Sequence, residues 1–175
     1  MRMGQFGGPG IARASVAIAC AVLLLGRAHA LVPTEYVDRI LVDKSDRELV
    51  AYARGREVRR FKVALGFGGL KPKVRQGDGR VPEGNYRITA HNPNSAYHLS
   101  LRIGYPTEAQ KLTAKRGGYD PGGDIMIHGL PNGQGWIGSA HRQRDWTAGC
   151  IAVTNEEIGW LYARVRDGTP IHIRQ

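Results

Sequence analysis

A histidine and a cysteine in the second half of the chain have the residue types and local surroundings of a catalytic pair. His128 follows the apolar residues 125–127, and Cys150, which lies 22 positions later, stands between a glycine and the apolar residues 151–153. Each side chain is therefore expected where a strand meets a turn, which is how a fold brings a nucleophile and its base together from separate segments. The pattern predicts a Cys/His acyl-transfer site.

The chemistry of a thiol assigns a role to each residue of this pair. A thiol attacks as the thiolate, and its reference pKa of about 8.5 leaves little thiolate at neutral pH. His128 is the expected general base, forming a thiolate–imidazolium pair, and a backbone carbonyl or an uncharged polar group is expected to orient its ring. Gly149 is expected to let the backbone N–H groups of the turn before Cys150 form an oxyanion hole.

Zinc binding is the alternative use of these side chains. His128, His141 and Cys150 are suitable ligand types, but their spacings of 13 and 9 positions match no compact zinc motif. We therefore predict no metal. Trp136 and Trp146, in the same stretch, are expected to pack in the core or in a loop.

Residues 1–30 have the composition of a secretory signal peptide. Arg2 and Arg13 provide positive charge before the apolar residues 14–25, and Ala28-His29-Ala30 forms an A-x-A cleavage site. The apolar run is shorter than the ~20 residues of a membrane span, so a cleaved leader is favoured over an uncleaved anchor. We expect residues 31–175 to be one exported, periplasmic domain without a membrane span. Cys150 would be its only cysteine, and a lone thiol in an exported protein is unusual, which favours a working nucleophile over an inert core residue.

The net charge indicates an anionic partner. Subtracting the three arginines of the leader from the formal charge of +10 leaves +7 for residues 31–175. Outside the cytoplasm, cell-wall polymer, lipid head groups and carboxylate-bearing peptides are suitable partners. Nucleic acid is disfavoured, because no basic and aromatic cluster of the kind that stacks bases is present.

Short apolar segments separated by turns predict a mainly β fold. The first three lie close together and predict an antiparallel meander. The predicted strands are residues 39–42, 48–53, 58–65, 86–90, 97–103, 125–127 and 169–173, with a short helix at 107–116. Thr154 and Glu157 form a capping box, and the amphipathic helix that follows, ending at residues 167–168, has its apolar residues on one stripe: Ile158, Leu161, Tyr162 and Val165.

The motifs around His128 and Cys150 resemble those of a known family. His128-Gly129 and Thr147-x-Gly149-Cys150-Ile151 are similar to the His-Gly and Ser/Thr-His-Gly-Cys motifs of the YkuD-type L,D-transpeptidase catalytic domain, and the turn at 79–84 is similar to its Thr-Pro-x-Gly signature. The segments PGGDIMIHG and DWTAGCIAVTN are most similar to the branch that includes YafK-like proteins. The resemblance covers nearly all of residues 31–175 and implies a β-sandwich or open barrel with a few short helices.

Two positions and one loop depart from the family pattern. Ala148 stands where the family has a histidine, and Ala152 stands where an arginine or asparagine is often found. The spacer before residue 147 is also longer, which leaves room for an extra loop over the cleft. We expect His141, Arg142 or Arg144 to supply the polar group that Ala148 lacks.

The resemblance implies the chemistry of peptidoglycan cross-linking. Cys150 would attack the carbonyl of the L-centre of diaminopimelate in a tetrapeptide stem, expel the terminal D-alanine and form a thioester. A second stem, a lipoprotein lysine or water would then resolve the thioester, without metal or organic cofactor. The expected substrate-binding residues are Gly129, His141, Arg142, Arg144, Trp146, Thr147 and Arg80.

Two alternatives remain open at this point. The first is a hydrolase or amidase that uses the same Cys–His site to cut stem peptides or to release a wall-linked lipoprotein. The second belongs to another class of protein and is a non-catalytic module that binds the cell wall through its charge. The presence of both His128 and Cys150 favours an enzyme.

Overall fold

The computed structural model describes Met1 and residues 35–175. The expected signal peptide at residues 1–30 and its cleavage site lie outside the described residues. Within the described part of the chain, no helix is long and apolar enough to cross a membrane.

Three antiparallel strands open the domain. β1 (Arg39–Asp43), β2 (Glu48–Ala53) and β3 (Arg56–Lys62) pair in sequence order, which confirms the predicted meander. β3 ends three residues earlier than predicted, because residues 64 and 66 turn away from β2. They form isolated bridges with Ala152 and Thr147 instead, and so connect the meander to the segment around the cysteine.

The remaining elements follow the predicted order, with shifts at their ends. Helix α1 begins after the capping box formed by Thr107 and Gln110, within the predicted range of residues 107–116. The other elements are β4 (Gly84–Ser95), β5 (His98–Ile103), α1 (Glu108–Arg116), β6 (Met126–His128), β7 (Ile151–Ala152), α2 (Asn155–Arg164) and β8 (Pro170–Arg174).

All eight strands belong to one sheet, in the order β3-β2-β1-β8-β4-β5-β6-β7. The mainly β fold class is confirmed, but two neighbouring pairs are parallel. β8 lies parallel to β1, and β7 lies parallel to β6. Parallel neighbours need a connection of a dozen or more residues, and the long segment between residues 128 and 151 provides one for β6 and β7.

Helix α2 covers the core behind β5 and β6. Its capping box between Thr154 and Glu157 is formed as predicted. Of the predicted stripe, Ile158 and Leu161 are fully buried and Tyr162 is partly buried. The helix ends at Arg164, earlier than predicted, because Val165 adopts an extended conformation and bridges Val37.

The segment between β6 and β7 contains a 3-10 helix that the sequence analysis assigned to a loop. It spans Gly135–Gln143 and is interrupted at Gly138, where φ is +52°. Short 3-10 turns lack the apolar periodicity of an α-helix, and this explains why the sequence pattern did not reveal it. This 3-10 segment lies in the spacer for which the sequence analysis expected an extra loop.

Candidate active site

The register of β6 and β7 brings His128 close to the turn that carries Cys150. Ile127 is opposite Ile151, and His128 is opposite Ala152. Ile127 and Ile151 point into the core and are fully buried. Because side chains alternate along a strand, His128 faces the side opposite to Ile127. Cys150 directly precedes β7, and continued extension through this residue would put its Cα atom on the order of 8 Å from that of His128.

The ring of His128 is held in one tautomer by its own neighbour. Nδ1 lies 2.7 Å from the carbonyl oxygen of Gly129, and a carbonyl can only accept, so Nδ1 carries the proton and Nε2 of the neutral ring is free to accept one. This is the kind of orienting group that the sequence analysis expected. Burial lowers the pKa of His128, while the hydrogen bond to Gly129 acts in the opposite direction.

Aromatic rings enclose His128. Its ring centroid lies 4.5 Å from that of Tyr97 and 5.7 Å from that of Trp146. The side chain is consequently buried, with 4% of its surface exposed. The neutral form of the imidazole is therefore favoured, which is the form that a general base requires.

The thiol of Cys150 is partly buried, and its neighbours act on its pKa in both directions. Sγ donates to the carbonyl oxygen of Asp124 at 3.5 Å and accepts from the N–H of Met126. Burial raises the pKa of Cys150; the Asp124 charge raises it further, while the Met126 N–H and the charge of Lys73 lower it. Burial therefore disfavours the charged form of both side chains, and the thiolate–imidazolium pair expected from the sequence stays a prediction.

The turn before Cys150 is fixed by the hydroxyl of Thr147. Its Oγ1 donates to the Cys150 carbonyl at 2.7 Å and accepts from the Gly149 N–H at 3.2 Å. Thr147 is buried, so its hydroxyl holds the turn and is not turned toward a substrate. The Gly149 N–H is engaged within the turn and is therefore not free to bind an oxyanion.

Gly149 meets a steric requirement as well. Its φ is +128°, and a Cβ at this position would lie 2.7 Å from the carbonyl oxygen of Arg80. Both the backbone conformation and the close approach therefore require glycine.

Asp145 anchors the same turn to the meander, and the sequence analysis assigned it no role. Its carboxylate accepts from the backbone N–H of Leu65 at 2.9 Å and pairs with Arg47 at 2.9 Å. Thr147 continues this connection, since its N–H donates to the Leu65 carbonyl at 3.1 Å. The loop that carries Cys150 is thus attached to the chain beyond β3.

Asn155 does the same for the loop that carries His128. Its side-chain oxygen accepts from the Leu130 N–H at 2.8 Å, and a Cβ added to Gly129 would lie 2.7 Å from this oxygen. Gly129 therefore allows close packing beside the histidine, and its carbonyl orients the ring. Asn155 opens helix α2, a position that gave no indication of this contact.

Three of the expected substrate-binding residues line one cleft, named here the Trp146 cleft. His141, Arg144 and Trp146 lie in its wall, with a cavity volume of about 480 Å³. Trp136, expected to pack in the core or in a loop, stands at its rim and is 84% exposed. The indole N–H of Trp146 donates to Nδ1 of His141 over a long distance of 3.4 Å. His141 thus lies beside the ring that contacts His128.

The other two arginines are engaged elsewhere. Arg142 forms an ion pair with Glu157 of helix α2, and it lines neither this cleft nor the one beside Ala148. Arg80 donates from Nε to the Gly68 carbonyl at 3.1 Å, and its backbone supports Gly149. Arg80 likewise lines neither of these clefts.

A second cleft, named here the Lys73 cleft, opens on the other side of the cysteine. It has a cavity volume of about 760 Å³, and its wall includes Ala148, Asp124 and Lys73. Ala148 is exposed, so the position at which the family has a histidine here contributes only a methyl group. Lys73 is a buried cation in this wall that the sequence analysis did not single out.

The described residues contain no group of three or more His, Cys, Asp or Glu side chains arranged to hold a metal ion. In particular, His128, His141 and Cys150 do not form such a group. The arrangement consists instead of one thiol, one oriented imidazole and a fixed turn, which are the parts of a cysteine-dependent acyl-transfer site.

Comparison with known proteins agrees with this class of site. The chain matches the YkuD family, the L,D-transpeptidase catalytic domain, over residues 37–173, and it belongs to that family. It is 28% identical over 155 residues to YafK of Escherichia coli strain K12, whose name places it among the L,D-transpeptidases. That alignment covers 79% of this chain and 55% of YafK.

Solved structures share the fold. The helical cell shape determining protein Pgp2 of Campylobacter jejuni has a TM-score of 0.61 at 24% identity, covering 81% of this chain and 48% of Pgp2. Bd1075 of Bdellovibrio bacteriovorus has a TM-score of 0.56 at 26% identity, with coverages of 81% and 48%. An L,D-transpeptidase of Mycobacterium smegmatis has a TM-score of 0.53 at 16% identity, with coverages of 81% and 59%. The chain spans about half the length of YafK, Pgp2 and Bd1075.

Proposed function

We propose that the protein is a peptidoglycan-modifying cysteine L,D-transpeptidase that acts on tetrapeptide stems. The observation that supports the proposal is the parallel pairing of β6, which ends at His128, with β7, which begins directly after Cys150, together with the bond from Nδ1 of His128 to the Gly129 carbonyl. This bond leaves Nε2 of the neutral ring free to accept a proton. Membership of the L,D-transpeptidase family supports the same reaction.

Acylation of the enzyme is the first half of the proposed reaction. The thiol proton passes from Cys150 to Nε2 of His128 as Sγ attacks the carbonyl carbon of the L-centre of diaminopimelate. The negative charge on the carbonyl oxygen is stabilised by backbone N–H donors of the turn. When the C–N bond breaks, His128 returns the proton to the departing amine, and a thioester on Cys150 and free D-alanine result.

Deacylation repeats these steps with an acceptor. An acceptor amine loses its proton to His128 and attacks the thioester, the C–S bond breaks, and the proton returns to the thiolate. A second stem as acceptor gives a 3–3 cross-link, and the lysine of a wall-anchored lipoprotein gives an attachment. Because both halves use one base, His128 must alternate between its neutral and protonated forms.

Hydrolysis is the second candidate, and the exposure of Ala148 favours it. The side chain at this position is a methyl group at the wall of the Lys73 cleft, so one side of the thioester lies open to solvent. Water attacking in place of an amine would release a shortened stem or detach a wall-linked lipoprotein. The enzyme would then be a hydrolase with the same Cys–His chemistry.

Analysis of the products distinguishes these candidates. The protein is incubated with a disaccharide-tetrapeptide, and the soluble products are separated and identified by mass spectrometry, with Cys150→Ala as the control. Release of D-alanine with a dimeric product is the result expected of a transpeptidase. Release with tripeptide monomer alone would establish the hydrolase, and lipoprotein-linked stems would then be tested as its substrate. If the folded protein releases no D-alanine but still binds sacculi, a wall-binding module would replace both enzyme candidates.

We also propose that the protein is exported after cleavage at residue 30, so that it works in the periplasm. The composition of residues 1–30 supports this. N-terminal sequencing of protein from an envelope fraction is expected to begin at Leu31. An intact N-terminus on envelope protein would favour an uncleaved anchor instead.

A further inference from the structure

Lys73 is a buried cation in the wall of the cleft beside the cysteine. Only 8% of its surface is exposed. Its ammonium group donates to Asp78 Oδ1 and to the Arg75 carbonyl, each at 3.0 Å. An ammonium has three N–H donors, and these two are its partners among residues 35–175. One N–H of Lys73 is thus available to a ligand.

The loop around Lys73 is built to hold this charge in place. Asp78 accepts from the backbone N–H groups of Val74 at 2.8 Å and Arg75 at 3.0 Å through its other oxygen, and from that of Arg80 at 3.1 Å. The carboxylate is therefore fixed by the backbone independently of the lysine. It positions the ammonium of a lysine that lines the cleft.

Other cations line the same cleft. Arg102 uses one of its five donors in an ion pair with Asp124 at 2.5 Å, and its guanidinium is half exposed. Lys111 also lines the cleft, and it pairs with Glu108 at 2.7 Å. Of the two acids in the wall, Asp124 is paired with Arg102, and Asp120 accepts from the Gly122 N–H at 2.8 Å. The donors that remain unused in the cleft therefore outnumber the acceptors.

The cleft also has a fixed relation to the reacting thiol. Ala148 and Asp124, which are in its wall, flank Cys150: Ala148 lies two residues before it, and the Asp124 carbonyl accepts from Sγ. A side chain of the residue whose carbonyl is attacked would enter the Lys73 cleft past Ala148. The methyl group at this position leaves that entrance wide.

We infer that the Lys73 cleft binds the side-chain carboxylate of the diamino acid that Cys150 attacks, with Lys73 as the specificity-determining residue and Arg102 beside it. This inference rests on the proposed function and adds a property to it, namely that the enzyme distinguishes a free carboxylate from a carboxamide. The two groups have nearly the same shape, but only the carboxylate forms an ion pair with the ammonium group, in which both donor and acceptor of the hydrogen bond are charged.

The test compares two substrates across four proteins. One tetrapeptide stem has a free side-chain carboxylate and the other a carboxamide, and kcat/KM for release of the terminal residue is measured for each. Wild type is expected to prefer the free acid by about tenfold or more, as a charged hydrogen bond implies. Lys73→Gln is expected to bring this preference close to one. Lys115→Gln, an equal charge change at an exposed position of helix α1 outside the cleft, is expected to leave the preference unchanged.

A fourth protein keeps the test decisive if Lys73→Gln is poorly folded. Ala148→Glu places a negative charge at the exposed entrance. It is expected to lower kcat/KM for the stem with a free carboxylate more than for the stem with a carboxamide. An unchanged preference in both Lys73→Gln and Ala148→Glu, with thioester still formed, would overturn the inference and leave the proposed function intact. Absence of thioester with either substrate in the wild type would instead remove the proposed function, and the inference with it.

Discussion

The side-chain hydroxyl of Thr147 donates a hydrogen bond to the backbone carbonyl of Cys150 at 2.7 Å. The same oxygen accepts from the Gly149 N–H, so one buried hydroxyl closes the turn that presents the thiol. The geometry of the nucleophile is thereby set by a residue whose side chain does not face the clefts.

Thr147→Val is expected to slow the reaction although it hardly changes the shape of the side chain. Valine has nearly the same volume but removes both hydrogen bonds, and it leaves the Gly149 N–H without this acceptor. We expect a loss of about 1–3 kcal/mol in the free energy of unfolding and of about 10- to 100-fold in kcat/KM, since small displacements of a nucleophile are costly. Thr147→Ser keeps the hydroxyl and is expected to stay within a few fold of wild type. Full activity in Thr147→Val would show that the turn holds without this hydroxyl.

Lys44 is expected to contribute strongly to stability, although its neighbours in the sequence form a turn. Only 1% of its surface is exposed, and its ammonium group pairs with Glu83 at 2.6 Å and donates to the Leu70 carbonyl. Removing one partner of a buried ion pair typically costs about 3–5 kcal/mol. Lys44→Ala is therefore expected to lower the free energy of unfolding by that order in urea titrations.

An exposed pair provides the control for Lys44. Lys111 pairs with Glu108 at the i and i+3 positions of helix α1, with both side chains largely exposed. Such pairs contribute about 0.2–0.5 kcal/mol, so Lys111→Ala is expected to change stability little. Equal effects of the two substitutions would contradict the buried role of Lys44.

The thiol of Cys150 is expected to react slowly at neutral pH in the free enzyme. Burial raises its pKa, so the rate of alkylation by iodoacetamide should increase with pH beyond the ordinary thiol value of about 8.5. The measurement uses a Cys20→Ala background, so that Cys150 is the only thiol, and the urea-unfolded protein supplies the reference curve. A plateau of reactivity near pH 6–7 would instead indicate a preformed thiolate–imidazolium pair.

His141 is expected to make the folded protein less stable in mild acid. Burial lowers its pKa to about 4, with Arg142 acting in the same direction, whereas an unfolded histidine titrates near about 6.5. Between these values the unfolded chain binds more protons than the folded one, so the stability contributed by neutral His141 is present above the upper value and is lost as pH falls through this window. The slope contributed by one such group is at most about 1.4 kcal/mol per pH unit.

Urea unfolding followed from pH 4 to pH 7.5 measures this slope. His141→Gln removes the titrating group while keeping a polar side chain, and it is expected to flatten the dependence without abolishing it, because burial also lowers the pKa of His128. His98→Asn is the control and is expected to leave the slope unchanged. It replaces an exposed histidine whose φ of +66° is tolerated by asparagine. A slope that is the same in wild type and His141→Gln would contradict the role of His141 in the pH dependence of stability.

The local signals of the sequence predicted most of the fold. Alternating apolar residues located the meander, and the capping box at Thr154 located helix α2. The fold class follows from such short-range patterns, because strand alternation and helix caps act within a few residues. The parallel pairing of β6 with β7 depended on the path of the long connection and was not encoded in either strand.

The pair of His128 and Cys150 was also apparent from the sequence, but its supporting residues were not. Asp145 and Asn155 act through contacts with Leu65 and Leu130, 80 and 25 positions away. Arg142 was expected at the substrate and instead pairs with Glu157, and Lys73 is buried although its sequence neighbours are polar. Charged side chains carry no periodic signal, so their partners are settled only by tertiary packing.

Intact-protein mass spectrometry of the thioester tests the central claim most directly. After mixing with a disaccharide-tetrapeptide, the wild type is expected to gain the mass of this substrate less D-alanine. Digestion of the adduct is expected to locate the added mass on the peptide that contains Cys150. Cys150→Ala should gain nothing, and His128→Gln should acylate about 100- to 10,000-fold more slowly, the usual contribution of a general base. Folded wild-type protein that forms no adduct, or Cys150→Ala that forms the same adduct, would contradict acyl transfer through this cysteine.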